Sequence, residues 1–262
     1  MWKFGIAFGL SSVILASTLF NRNERTGRYQ FIIVPNFYLN IISALAKRTF
    51  NKMPREPQQT SSYKLINEIF DIIKRDVHSE KNWNLTVIKD PNINVFALPD
   101  GSMYVYTGLL KYVKSPDELA FIMSHEFSHV ALNHIAEKLT FGAFSSLIIT
   151  WLSYKLTGDM DLNFLKDILV DLPLSGQSET EADTEALEII NKSGFDAEAS
   201  LKLMERLELK PTKKTQNYLS AHPITSSRIS ALEHKISELS YTCPEPNSEI
   251  LKLSELLSQA KA

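Results

Sequence analysis

The run PDELAFIMSHEFSHVALNHIAEK, Pro116 to Lys138, decides how the rest of the chain is read. Its pattern predicts one helix. Pro116 suits the first helical position, Asp117 and Glu118 suit the electropositive first turn, and Leu119, Ile122, Met123, Phe127, Val130 and Leu132 supply apolar packing. His125 and His129 are four residues apart, about one turn, so both imidazoles can reach one ion from the same face. Glu126 between them can point toward the ion's open position and act on a water without ligating the metal. His134 lies five residues beyond His129, about 140° around an ideal helix, and is read as no ligand. A motif this short arises by chance in ordinary helices with satisfied histidines, so its surroundings must decide.

A third protein ligand has to come from elsewhere, and Ser178–Leu187, SETEADTEAL, is the best segment. It reads as a helix with Ala182, Ala186, Ile189 and Ile190 facing inward. Glu179 and Asp183 are four apart and share a side, whereas Glu181 points elsewhere. Glu179 can then bind a metal while Asp183 accepts a hydrogen bond from a ligand histidine and fixes its tautomer. Spacing alone does not choose among the four acidic residues here, and a solvated acidic face is the ordinary reading of such a run.

Five pieces occur in a recognisable order: TGRYQF (Thr26–Phe31), NVFALPDGSMYVYTGLL (Asn94–Leu110), HEFSH, SETEAD (Ser178–Asp183) and SAHPITSSRI (Ser220–Ile229). With them the chain resembles the M48 class of zinc metallopeptidases, specifically its Oma1-like branch, over most of its length from Thr26 to about Leu232. The resemblance implies an α+β, mainly helical zincin-like domain with a small antiparallel sheet beside the HExxH helix. It implies one Zn2+ per chain held by His125, His129 and Glu179, with Asp183 behind them. The family commonly carries an arginine shortly before the acidic element, where this chain has Pro173–Gly176; no zinc ligand is lost by that.

His222, read from the residues alone, precedes a proline in a loop before a helix starting near Ser226, where a cap or exposed residue is the plain reading. The resemblance implies an active-site histidine that donates to the oxyanion as the scissile carbonyl becomes tetrahedral. Arg228, in the same HPxxxxR pattern, either anchors that loop through a carboxylate or touches substrate. Strand character at Trp83–Lys89, Asn94–Leu98 and Met103–Thr107, with a turn at Pro99-Asp100-Gly101, offers an edge beside which an extended peptide can lie. The expected reaction is peptide-bond hydrolysis, with Glu126 as general base and then proton donor to the departing amine.

The chain divides into residues 1–22, an N-terminal anchor or signal-like segment; 23–240, the metallopeptidase domain; and 241–262, a tail with a short helix. Phe4–Phe20 is a 17-residue uncharged apolar stretch after Lys3, read as a retained membrane anchor, with a cleaved signal or buried helix as rivals. Residues 139–156 hold a second apolar segment, either membrane-associated or a buried helix. Further helices are expected at Tyr63–Val77, Phe195–Leu209, Ser226–Leu239 and Glu249–Ala260. A single cysteine, Cys243, excludes an intrachain disulfide. A formal charge of −2 with dispersed basic residues and no phosphate-binding glycine loop argues against nucleic acid or nucleotide partners. The expected partners are polypeptide substrates, membrane proteins above all, with a lipid bilayer and a homo-oligomer also considered. By resemblance the address is the mitochondrial inner membrane with the catalytic domain in the intermembrane space, or else a bacterial envelope facing the periplasm. Misfolded membrane proteins and a dynamin-related GTPase are the substrates implied. The rival from another class is a silent or latent zinc-binding membrane scaffold that holds protein partners.

Overall fold

A computed structural model describes residues 20–77, 79, 81–142, 174–239 and 248–261. The apolar stretch at 4–19 and most of 139–156 lie outside these residues, as does Cys243. Among the described residues no helix is long and apolar enough to cross a membrane.

The chain opens with a hairpin of β1 (Phe20–Arg22) and β2 (Tyr29–Phe31), paired antiparallel with Phe20 opposite Phe31. Residues 20–22, assigned in sequence to the end of the anchor, are thus strand. Helix α1 (Asn36–Phe50), which has no counterpart in the sequence expectations, packs Phe50 against Phe96 and Tyr104 at ring distances of 4.6 and 5.2 Å. Helix α2 (Ser61–Asp76) starts where the Thr60 hydroxyl accepts the Tyr63 N–H. Its face of Leu65, Ile66, Ile69, Phe70, Ile72 and Ile73 is buried.

Strands β3 (Asn84–Ile88), β4 (Val95–Ala97) and β5 (Ser102–Tyr106) form a sheet in the order β3-β5-β4. The expected antiparallel sheet is corrected here: β4 and β5 are antiparallel, but β3 and β5 are parallel. The Pro99–Gly101 turn determines only the β4–β5 hairpin. Which side β3 joins depends on packing, and the loop before β4 carries the chain past the place that β5 fills. The outer edge of β3 is covered, because Glu56 N–H donates to Val87 O and Lys89 N–H to Pro54 O.

Helix α3 (Pro116–Ala131) is capped by the Ser115 hydroxyl, which accepts the Glu118 N–H at 3.3 Å. It is buried on nearly every side and packs chiefly on α4 (Gly176–Lys192), while Phe127 meets Trp83 and Phe70 at 4.3 and 5.4 Å. The single helix expected to Lys138 is broken. Asn133 has φ 59°, and residues 134–142 are helical beyond it. Asparagine enters the left-handed region at less cost than most residues, so it can end one helix and redirect the next. Helices α5 (Glu198–Leu209), α6 (Gln216–Ala221), α7 (Ser226–Leu239) and α8 (Ser248–Lys261) complete the core. The tail helix α8 lies along α2 and buries Ile250, Leu253 and Leu257, so it is part of the core.

Candidate metal centre

Two crossing helices and one loop build the centre. On α3, His125 and His129 turn their Nε2 atoms to within 2.9 Å of each other. On α4, whose first turn is capped by Ser175, Glu179 places Oε2 3.4 Å from His125 Nε2 and Oε1 3.4 Å from His129 Nε2. His222 ends α6, where the following Pro223 cannot continue the helix. Its Nδ1 lies 3.2 Å from His125 Nε2 and from both Glu179 oxygens, and its ring stacks on Tyr218 at 5.0 Å. The four ligand atoms lie within 4.8 Å of one another, and all four residues are buried.

This geometry fits zinc. With ligand bonds of about 2.0–2.2 Å, atoms at the corners of a tetrahedron stand about 3.4 Å apart. The two imidazole–carboxylate separations, both 3.4 Å, match that edge length, and the 2.9 Å between the two Nε2 atoms is shorter than it. Imidazole and carboxylate are also the donor types that zinc takes.

Behind the cluster, Asp183 places Oδ1 2.9 Å from His125 Nδ1, close enough to pair though off the ideal hydrogen-bond line. Arg228 donates to Asp183 through Nε and Nη2, to Pro223 O through Nη1, and reaches Glu179 Oε2 at 2.9 Å. It is 2 % exposed. Of the two roles open to it in the sequence, the geometry supports the anchor. Glu126 accepts from the Ala97 backbone N–H. Its Oε1 lies 3.3 Å from His222 Nε2, outside hydrogen-bond alignment, and has no hydrogen-bond partner among the described residues.

Burial and charge set the proton affinities. Burial works against a charge on His125, but bonding to Asp183 and Glu179 outweighs it and brings its pKa up to about 9. Burial, then the His125 charge, pushes His129 well down. Burial pushes Glu126 up. Against burial, His125 and His222 hold Glu179 well below the carboxylate range, and His125 with Arg228 lowers Asp183.

Sequence reasoning missed His134 and Arg28. His134 is no member of the four-donor cluster, but the break at Asn133 swings its ring against His129. Glu181, read as pointing elsewhere, accepts from both His134 and Arg28. Against burial, these two bring its pKa down to about 2. The signal lay in Asn133, a residue suited to ending a helix, and in Arg28 within TGRYQF.

The donor set, its order in the chain and the buried carboxylate beside it fit a zinc hydrolase, and peptidase family M48 matches residues 59–236. The chain belongs to peptidase family M48. M48 peptidases are zinc-dependent, and the cluster of His125, His129, Glu179 and His222 could hold the ion. The chain is similar to the Bos taurus protein "Metalloendopeptidase OMA1, mitochondrial", at 28% identity over 90% of this chain and 50% of the relative. It is 35% identical to the Schizosaccharomyces pombe "Mitochondrial metalloendopeptidase OMA1" over 61% of this chain and 48% of that protein. An Escherichia coli "Beta-barrel assembly-enhancing protease" is 25% identical over 60% of this chain and 35% of its own. The chain spans about half the length of the first two relatives.

Proposed function

We propose that this M48 chain is a zinc-dependent metalloendopeptidase that cuts membrane or misfolded proteins in membrane protein quality control. The observation that carries the reading is the buried Glu126 carboxylate, one oxygen held by Ala97 N–H and the other unbonded, beside a four-donor cluster. His125, His129 and Glu179 are the zinc ligands. Zinc held there supplies a Lewis acid for the scissile carbonyl and lowers the pKa of the attacking water.

Glu126 takes the proton of that water at Oε1 and delivers a proton to the departing amine. His222, stacked on Tyr218 and tied down through Pro223 and Arg228, donates Nε2–H to the carbonyl oxygen as negative charge gathers on it. The substrate lies extended along β4. Asn94, Phe96 and Leu98 face β5 in the ladder, with Tyr106 N–H bonded to Asn94 O and Leu98 N–H to Ser102 O. Val95 and Ala97 therefore turn their peptide groups away from β5, and a substrate strand pairing there displaces the Val95 N–H bond to Asn94 Oδ1 and uses the remaining main-chain groups without strict side-chain selection. The mitochondrial relatives support an inner-membrane address with the catalytic domain in the intermembrane space; the bacterial relatives support the envelope as the other setting. A dynamin-related GTPase is a candidate substrate in the first.

The test compares zinc content and cleavage of an unfolded protein by membrane-reconstituted wild type and Glu126→Gln. About one zinc in each, with chelator-sensitive cleavage in wild type alone, supports the assignment. Equal cleavage removes Glu126 from the reaction. Zinc with no cleavage by wild type favours a scaffold or latent enzyme, and a folded wild type without zinc sinks the centre.

A further inference from the structure

His134 is fully buried, and both of its ring nitrogens are engaged. Nδ1 lies 2.9 Å from Nδ1 of His129, and Nε2 lies 3.1 Å from Oε2 of Glu181. Arg28 grips that carboxylate with Nε at 2.6 Å from Oε1 and Nη2 at 3.1 Å from Oε2, which keeps it ionised. An ionised carboxylate can only accept a hydrogen bond. In the neutral imidazole the proton between Glu181 and His134 sits on His134 Nε2, leaving its Nδ1 as an acceptor. The shared proton of the two histidines then belongs to His129 Nδ1. His129 Nε2 is left bare, and it is the nitrogen that faces His125 and Glu179.

We propose that Arg28, Glu181 and His134 form a positioning relay that fixes the tautomer and ring orientation of His129 and thereby sets how tightly the centre holds zinc. The relay rests on His129 being a ligand. On the other histidine Asp183 sits directly against Nδ1; here a second imidazole is interposed and the carboxylate stands one step further out. The outermost member comes from the β1–β2 hairpin, which precedes residues 59–236 of the family match. The hairpin seats Arg28 by other bonds as well. Arg28 Nη1 donates to Glu137 Oε1 at 2.6 Å, and Gln30 Nε2 donates to Leu132 O at 2.8 Å, beside the Asn133 break. The hairpin thus reaches His129 through Arg28, Glu181 and His134.

The competing role is a mere brace of hairpin to helix. Arg25 with Glu185 provides the comparison, because this pair ties the same hairpin to α4 and Glu185 stands outside the His134–Glu181 contact. The experiment measures zinc dissociation constants by chelator competition on metal-free full-length chain, with circular dichroism to verify the fold. Glu181→Leu and Arg28→Leu are expected to weaken zinc by about 10–100-fold, the usual effect of losing such an outer partner. Glu181→Gln, which keeps an acceptor oxygen, falls between wild type and Glu181→Leu and serves if the leucine variant fails to fold. Glu185→Leu leaves the zinc constant unchanged. Nitrogen NMR of the metal-free wild type should show His129 protonated at Nδ1, with Glu181→Leu losing that single form. Equal weakening by the Glu181 and Glu185 variants, or weakening by neither, overturns the relay. Unchanged zinc affinity in His129→Ala instead overturns the ligand assignment, leaving the two failures distinct.

Discussion

Arg228 and Asp183 form a two-point ion pair, Nε to Oδ2 at 2.7 Å and Nη2 to Oδ1 at 2.9 Å, with both side chains buried. The pair joins α7 to α4 and, through Nη1 on Pro223 O, holds the loop that carries His222. Arg228→Met leaves two buried carboxylates without their cation. Breaking a buried pair in this way costs about 3–5 kcal/mol, measurable as a lower urea midpoint. Arg228→Lys retains charge but not the planar fork and should recover only part of the loss.

His222 offers Nε2 toward the side where Glu126 stands. His222→Phe keeps an aromatic ring on Tyr218 while removing both nitrogens. The expected result is a fall in kcat of about 10²–10³, as for other lost oxyanion donors, with zinc content unchanged. Zinc loss in this variant, measured by atomic absorption, would instead make His222 a fourth ligand, as its place in the cluster permits.

Zinc and protons compete at His125. Its pKa is raised to about 9 against burial by Asp183 and Glu179, so below that pH the ion must displace a proton. Apparent zinc affinity should climb about tenfold per pH unit from near 6.5 toward 9 and level above it, because binding releases the proton. In the metal-free chain the same shift stabilises the fold fully below about pH 6.5, the unfolded value, and the contribution is lost as pH rises through 9. Chelator competition and urea unfolding at stepped pH measure the two effects.

Asn133 carries φ 59° between the two helical stretches. Asn133→Gly should be neutral or slightly stabilising, whereas Asn133→Val meets the left-handed penalty of about 1–2 kcal/mol. If the break also aims His134, the valine variant weakens zinc beyond what its urea midpoint explains.

Local chemistry was readable in the order of residues alone. The HExxH spacing, the Ser-Pro-Asp-Glu start of α3, the four-residue interval between Glu179 and Asp183, and the whole of Ser226–Leu239 each depend on periods or caps that act within a few residues. These determined His125, His129 and most helices, while the choice of Glu179 among four acidic residues came from the family resemblance. Tertiary structure decided the rest. His134 stays outside the four-donor cluster, as its helix phase implied, yet a single left-handed residue at Asn133 sets its ring against that of His129. The side on which β3 joins β5, the place of β4 at the end of the strand order, and the reach of Arg28 to Glu181 across 153 residues all depend on which surfaces pack together. Periodicity assigns a residue to a face but carries no record of what that face meets, and the coupling of hairpin to metal centre lives in those contacts.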